Sequence, residues 1–157
     1  MKSPEQGRED VMAQADLAWL RTLYDRYGAG EVQAVFDHLS PDVEWVSNRG
    51  SPVFASFSGT FRGADGVRRY FDGLMQEWVI DRHEMLDMTV EGDDVRVQNL
   101  VGATYRKTGK RIETVTHHHL RVNNGRIERF EEQFDDAAVA MACDADCAEG
   151  SPGQVNQ

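Results

Sequence analysis

Apolar residues open the chain at helical spacing. Ala13, Leu17, Leu20, Tyr24 and Tyr27 follow one another at alternating steps of four and three, one stripe of an amphipathic helix, and Gly28-Ala-Gly30 stops it. Val32, Val35, Phe36 and Leu39 predict a second, shorter helix that Ser40-Pro41 ends, because proline disfavours a helical residue before it. Asp42 to Ser47 reads as a brief strand, with Val43, Trp45 and Ser47 on one face and Glu44 and Val46 on the other. Asn48 to Ser58 mixes Gly, Pro and Ser with Val53, Phe54 and Phe57, which suits a mouth or lid over something apolar. After Gly63 the helical period returns in Val67, Tyr70, Phe71, Leu74, Met75 and Trp78, so a third helix carries a broad aromatic face that needs a concave sheet to bury it.

From residue 80 onwards the period changes to two. Leu86, Met88 and Val90, then Val95, Val97, Asn99, Val101, Ala103 and Tyr105, then Ile112 to Val122, then Arg126 to Phe134 predict four long strands. Their connections, Glu91-Gly-Asp-Asp94, Lys107-Thr-Gly-Lys110 and Asn123-Asn-Gly125, are short turn sequences, so consecutive strands pair antiparallel. Helices first and a curled sheet afterwards make an α+β fold. Asp136 to Gln157 holds one helical turn around Ala137 to Ala142 and then a polar tail.

The length of 157 residues bounds this to one domain, and 40% hydrophobic with 28% charged residues is a globular composition. The organisation read is a polar segment over residues 1–9, a domain over 10–140 and a polar tail over 141–157. Twenty-seven acids against 17 bases give a net charge of -10, which repels phosphate backbones and anionic lipid. The expectation is therefore no nucleic acid, no membrane, and a cytoplasmic protein: the start has no secretory or transit pattern, and no run reaches the roughly 18 apolar residues of a membrane helix. Cys143 and Cys147, four apart, would close a tiny loop that staples no core.

Several fragments occur together in a characteristic order: Gly30-Glu-Val-Gln-Ala-Val35, Pro41-Asp-Val-Glu-Trp45, Gly59-Thr-Phe-Arg-Gly63 leading into Gly66-Val-Arg-Arg-Tyr-Phe71, Leu120-Arg-Val-Asn-Asn-Gly-Arg-Ile127 and Glu132-Gln-Phe-Asp135. Over about residues 10 to 140 the chain thereby resembles the SnoaL-like group of the nuclear transport factor 2-like superfamily. The resemblance implies a conical barrel, with three helices of the N-terminal half packed in a curved, mainly antiparallel sheet around a pocket, often as a homodimer. Its members include ketosteroid isomerases, polyketide cyclases, dehydratases, epoxide hydrolases and proteins that only bind or scaffold, so chemistry has to be argued from the residues. The isomerases' carboxylate base falls at Ser47 here and their oxyanion tyrosine at Leu23, which disfavours a steroid isomerase. The arginine and paired aspartates of limonene-type epoxide hydrolases are also missing from the inner positions.

A three-residue loop at Asn123-Asn-Gly125 predicts Val122 opposite Arg126, Leu120 opposite Glu128, His118 opposite Phe130 and Thr116 opposite Glu132. Thr116, His118, Leu120, Phe130, Glu132 and Phe134 then share the aromatic, inner face, with Glu132 diagonal to His118. An acid beside an imidazole can work as an acid/base pair, His118 moving the proton and Glu132 orienting it; equally, the two can satisfy each other as structural polar groups. By the same resemblance, the position of His118 is where cyclases and isomerases place a pocket carboxylic acid. Asn99 and Tyr105 are candidates to orient a carbonyl, Tyr27 to set its hydroxyl at the cavity edge, and Trp45, Phe71, Trp78, Phe130 and Phe134 to form apolar walls. No cofactor motif appears, and although His117 and His119 share a strand face with Glu131 nearby, a solvated or dimer-interface surface is the simpler account than a metal. The activity expected is cofactor-free cyclisation, isomerisation or dehydration of a small, largely apolar carbonyl compound; the alternative is a non-catalytic binding or homodimeric scaffold module.

Overall fold

The computed structural model describes residues 17–48 and 57–143. The elements in order are α1 (Ala18–Gly28), α2 (Gln33–Phe36), β1 (Leu39–Ser47), β2 (Gly59–Arg62), α3 (Gly63–Glu77), β3 (Trp78–Glu91), β4 (Asp94–Tyr105), β5 (Arg111–Asn123), β6 (Arg126–Gln133) and α4 (Asp136–Cys143). This is an α+β cone: helices lie against a curved, unclosed six-stranded sheet of order β2-β1-β6-β5-β4-β3. Short turns make β3 to β6 an antiparallel meander, whereas β1 pairs parallel with β6. Leu20, Val43, Val67, Val95, Leu120 and Ile127, each fully or almost fully buried, come from both helices and sheet and form the shared core. No helix among the described residues is long and apolar enough to cross a membrane.

Four details differ from the pattern-based reading, each for a local reason. The second helix is a single turn that ends at Phe36, and Leu39, expected to close it, instead starts β1 and pairs with Ile127. Pro41 lies where the β1/β6 register breaks between Leu39 and Glu44, a place where its missing N–H costs no ladder bond. The short β2 gives no periodic signal in four residues; it is held by pairing with Glu44 to Ser47 and by an Arg62–Glu44 ion pair of 2.8 Å. Trp78 belongs to β3 rather than to α3: its backbone is extended (φ −128, ψ 149), and its ring packs inward against Tyr105 at 5.0 Å.

The fourth difference shapes the site. In β3 the register breaks between Ile80 and Arg82 and again between Met85 and Asp87, so Asp81 and Leu86 are inserted residues. Each bulge reverses the alternation. Ile80, His83, Met85 and Met88 therefore turn inward, and Leu86, expected inward by parity, is 47% exposed. Ala13, Val53, Phe54 and Cys147 lie outside the described residues. Phe57 is buried and stacks on Phe134, and Cys143 is fully buried at the end of α4.

Candidate active site

The β5/β6 hairpin sets the geometry. Asn124 (φ 51) and Gly125 (φ 75) form a two-residue turn with both residues in the left-handed region, so Asn123 pairs with Arg126 and Val122 with Ile127. Glu128 is then an inserted residue, after which Arg121 faces Arg129, Leu120 faces Phe130 and His118 faces Glu132. The expected register is thus displaced by two residues on β6. Because two is the period of a strand, the facing survives, and Glu132 comes directly opposite His118 instead of diagonal to it.

His118 is buried, and both its ring nitrogens are occupied. The Tyr24 hydroxyl lies 2.6 Å from Nδ1 and the Asn99 amide nitrogen 3.2 Å from the same atom. An amide nitrogen only donates, so Nδ1 is the acceptor, the ring proton sits on Nε2, and Nε2 donates to Glu132 Oε2 at 3.3 Å. The other carboxylate oxygen, Oε1, accepts from the Tyr70 hydroxyl at 2.7 Å and the Ser47 hydroxyl at 3.2 Å. Burial pushes the Glu132 carboxyl up, but the hydrogen bonds from His118 and Tyr70 outweigh this and hold it below the usual carboxylate range. Burial, reinforced by the nearby Glu132 charge, pushes the Tyr24 and Tyr70 phenols well above theirs, so both remain donors. The result is a buried carboxylate that accepts from three donors, on β1, α3 and β5, and is held ionised.

Two inner voids flank this group, of about 70 Å³ and about 40 Å³. Glu132, Tyr27, Tyr70 and His83 border both. Of the expected apolar walls, Trp78 and Phe134 line the larger void, and Trp45, Phe71 and Phe130 the smaller one, where Trp45 stacks on Phe130 at 3.8 Å. Asn99 is fully buried behind His118 and borders neither void, and its Oδ1 has no partner among the described residues. Tyr105, the other candidate to orient a carbonyl, is buried against Trp78 and also lies away from both voids. Ser47 and Leu23 lie at the site too: Ser47 supports Glu132, and Leu23 is an apolar wall.

His83 is the residue that the sequence pattern did not reveal. Strict alternation back from Met88 puts it on the outer face; the bulge at Leu86 brings it in, and only the imbalance of a polar ring inside an otherwise apolar set could have hinted at this. Its ring meets Tyr27 edge-on at 4.7 Å and stands 6.1 Å from the His118 ring. Burial, then the nearby His118, lowers its pKa to about 4. Gly28, at the end of α1, permits this packing, since a methyl group there would sit 2.7 Å from the His83 carbonyl oxygen.

On the outer face His119 lies 3.2 Å from Asp94, and His117 is exposed opposite Gln133. Glu131 faces His119 rather than His117 and is held by Arg129, which also bonds Glu44. Among the described residues no group of His, Cys, Asp or Glu is arranged to hold a metal ion.

The comparisons with known proteins agree with this architecture. No curated protein matches the chain. An NTF2-like protein from Burkholderia thailandensis is 31% identical, covers 80% of this chain and 94% of its own, and superposes with a TM-score of 0.70. An NTF2-like protein of unknown function from Burkholderia pseudomallei is 23% identical, with 80% and 95% covered and a TM-score of 0.72. TerC, crystallised with polyporic acid, is 20% identical over 82% of this chain and 97% of its own, with a TM-score of 0.72. The SnoaL-like domain model matches residues 20–130, most of the described fold, and the chain belongs to that family within the NTF2-like superfamily.

Proposed function

We propose that the buried site performs cofactor-free acid/base chemistry, a cyclisation, isomerisation or dehydration, on a small and largely apolar carbonyl compound. The observation that carries this is Glu132: an ionised carboxylate inside an apolar cone, fed by donors from His118, Tyr70 and Ser47 and bordering both inner voids. A carboxylate so placed can take a proton from carbon beside a carbonyl: its donors keep it ionised and so able to accept, and the apolar walls exclude competing water. His118, with both nitrogens engaged, is the positioning residue that fixes the carboxylate; Trp45, Phe71, Trp78, Phe130 and Phe134 are the walls. TerC, alike in fold, crystallises with a small organic molecule, which supports ligand uptake by such a cone.

The test is deuterium incorporation into a carbonyl carbon acid, 2-tetralone, followed by proton NMR. The wild-type protein is expected to speed exchange beside the carbonyl, and Glu132→Gln to reduce it by about 100-fold or more. Equal rates in the two proteins would refute the assignment. The second reading is a binding or homodimeric scaffold module, and one observation favours its scaffold form: the voids of about 70 and 40 Å³ are well below the roughly 300 Å³ at which small-molecule sites begin. Native mass spectrometry together with the exchange assay separates the readings: exchange that Glu132→Gln abolishes supports the first, and a bound metabolite or a dimer without exchange supports the second.

A further inference from the structure

A surface cavity of about 250 Å³ opens between the end of α1, the end of α3 and the start of β3. It is larger than both inner voids together and approaches the roughly 300 Å³ at which small-molecule sites begin. Gly28 and Gly30 put no side chain into it, and Val32, Leu74 and Ile80 give it apolar walls. Met75 and Val79, 39% and 41% exposed, line it as well and are two of the four large hydrophobic side chains that stand out to solvent among the described residues. Apolar side chains gathered at one concavity, rather than scattered singly, mark a surface that something covers.

The charge at this cavity is the reverse of the chain's. The protein carries a net charge of -10, yet the lining holds Arg82 and Arg106 and no carboxylate. The two arginines differ in what they already touch. Arg82 is shared between Glu84 and Glu113, at 3.3 Å each. Arg106 is anchored by its backbone N–H, which donates to the Glu77 carbonyl at 2.8 Å, and by Nε, which donates to the Met75 carbonyl at 3.0 Å. Its Nη1 and Nη2 have no partner among the described residues. Trp78, in the same lining, is only 3% exposed, and its Nε1 is buried without a partner. Guanidinium and indole nitrogens only donate, and buried donors are ordinarily satisfied, so what this wall lacks is an acceptor.

We propose that this surface cavity binds a small monocarboxylate with an apolar body, of the arylalkanoate class. The carboxylate accepts from Nη1 and Nη2 of Arg106, the body lies against Val32, Leu74 and Ile80, and the Trp78 indole N–H is a further donor to the ligand. A guanidinium is planar and always charged, and its two parallel N–H groups match both oxygens of a carboxylate, whereas a neutral amide offers a single oxygen. The apolar walls supply the rest of the affinity by removing the ligand's hydrocarbon surface from water. Tyr27 and His83 border this cavity and both inner voids, so a ligand held at Arg106 is separated by them from Glu132. The site moves no proton and stands independently of the acid/base reading of the inner site.

The experiment titrates the whole, nitrogen-labelled chain with three probes at neutral pH and follows the side-chain N–H signals by NMR. 3-Phenylpropanoate is the ligand analogue; 3-phenylpropanamide keeps its body without the charge, and acetate keeps the charge without the body. 3-Phenylpropanoate is expected to shift the Arg106 Nε–H and Trp78 indole N–H signals, with the amide and acetate each binding about tenfold more weakly or worse. Arg106→Gln, at an exposed side chain, should weaken 3-phenylpropanoate binding about tenfold. Added salt should weaken binding to the wild type and leave binding to the variant unchanged. Wild-type Arg106 and Trp78 signals that do not move at millimolar 3-phenylpropanoate overturn the site, and no variant is needed to see it. Equal affinity for the acid and the amide, or equal affinity of wild type and Arg106→Gln, overturns carboxylate recognition by Arg106. Acetate binding as tightly as 3-phenylpropanoate overturns the apolar part of the site. Shifts confined to the His118 ring would place the ligand inside the cone and overturn the surface site as well.

Discussion

His83 gives a quantitative prediction that needs no ligand. Its imidazole has an ordinary pKa of 6.5 and is lowered to about 4 in the folded protein, first by burial and then by His118. Between these values the unfolded chain binds a proton at this position that the folded chain does not, so stability rises with pH across the window and is lost as pH falls from 6.5 towards 4. Integration gives a loss of about 2 kcal/mol between pH 7 and pH 5, growing to about 3 kcal/mol below pH 4. Glu132 does not obscure this, because its carboxyl is held below the ordinary 4.5; its contribution is present above that value and is lost only at lower pH. Urea unfolding at pH 7 and pH 5 of the wild type and of His83→Gln isolates the effect. The wild type should lose about 2 kcal/mol more than the variant over this interval, equivalent to roughly 4–8 °C in Tm for a domain of this size. A difference under about 0.5 kcal/mol would refute the placement of His83 as a buried, neutral ring.

Other positions give further tests. His118→Ala strips Glu132, Tyr24 and Asn99 of a partner at once and leaves a buried carboxylate short of a donor, so urea unfolding should show a loss of about 3–5 kcal/mol; a loss within 1 kcal/mol would contradict the network. Gly28→Ala forces a methyl group against the His83 carbonyl at 2.7 Å, with an expected cost of about 1–3 kcal/mol and a displaced His83 ring resonance. Gly125→Ala places an L side chain at φ 75 in the hairpin turn and should cost about 1 kcal/mol while leaving His118 and Glu132 paired, which amide exchange of β5 and β6 would report.

The helical stripe of α1, the aromatic face of α3 and the alternation in β4 and β5 were legible because regular elements with one buried face must repeat apolar residues at the element's own period. From these alone follow the α+β class, the inner placing of His118 and Glu132, and most of the cavity walls. The hairpin illustrates how far such an argument reaches. Asn124-Gly125 announces a turn but not its length, and the insertion at Glu128 moves the partner of His118 from Phe130 to Glu132 without altering which side chains face inward.

What tertiary structure alone decided are the features that depend on irregularity or on distant segments. Bulges at Asp81 and Leu86 leave no periodic trace, yet they turn His83 towards Glu132 and Leu86 out to solvent. The parallel pairing of β1 with β6 brings Ser47 to Glu132 across 85 residues of chain, and α3 brings Tyr70 to the same carboxylate. A chain's local period records which face of an element is apolar. It cannot record which of several polar residues on the inner faces will meet, because that depends on strand register and helix packing fixed by the whole core.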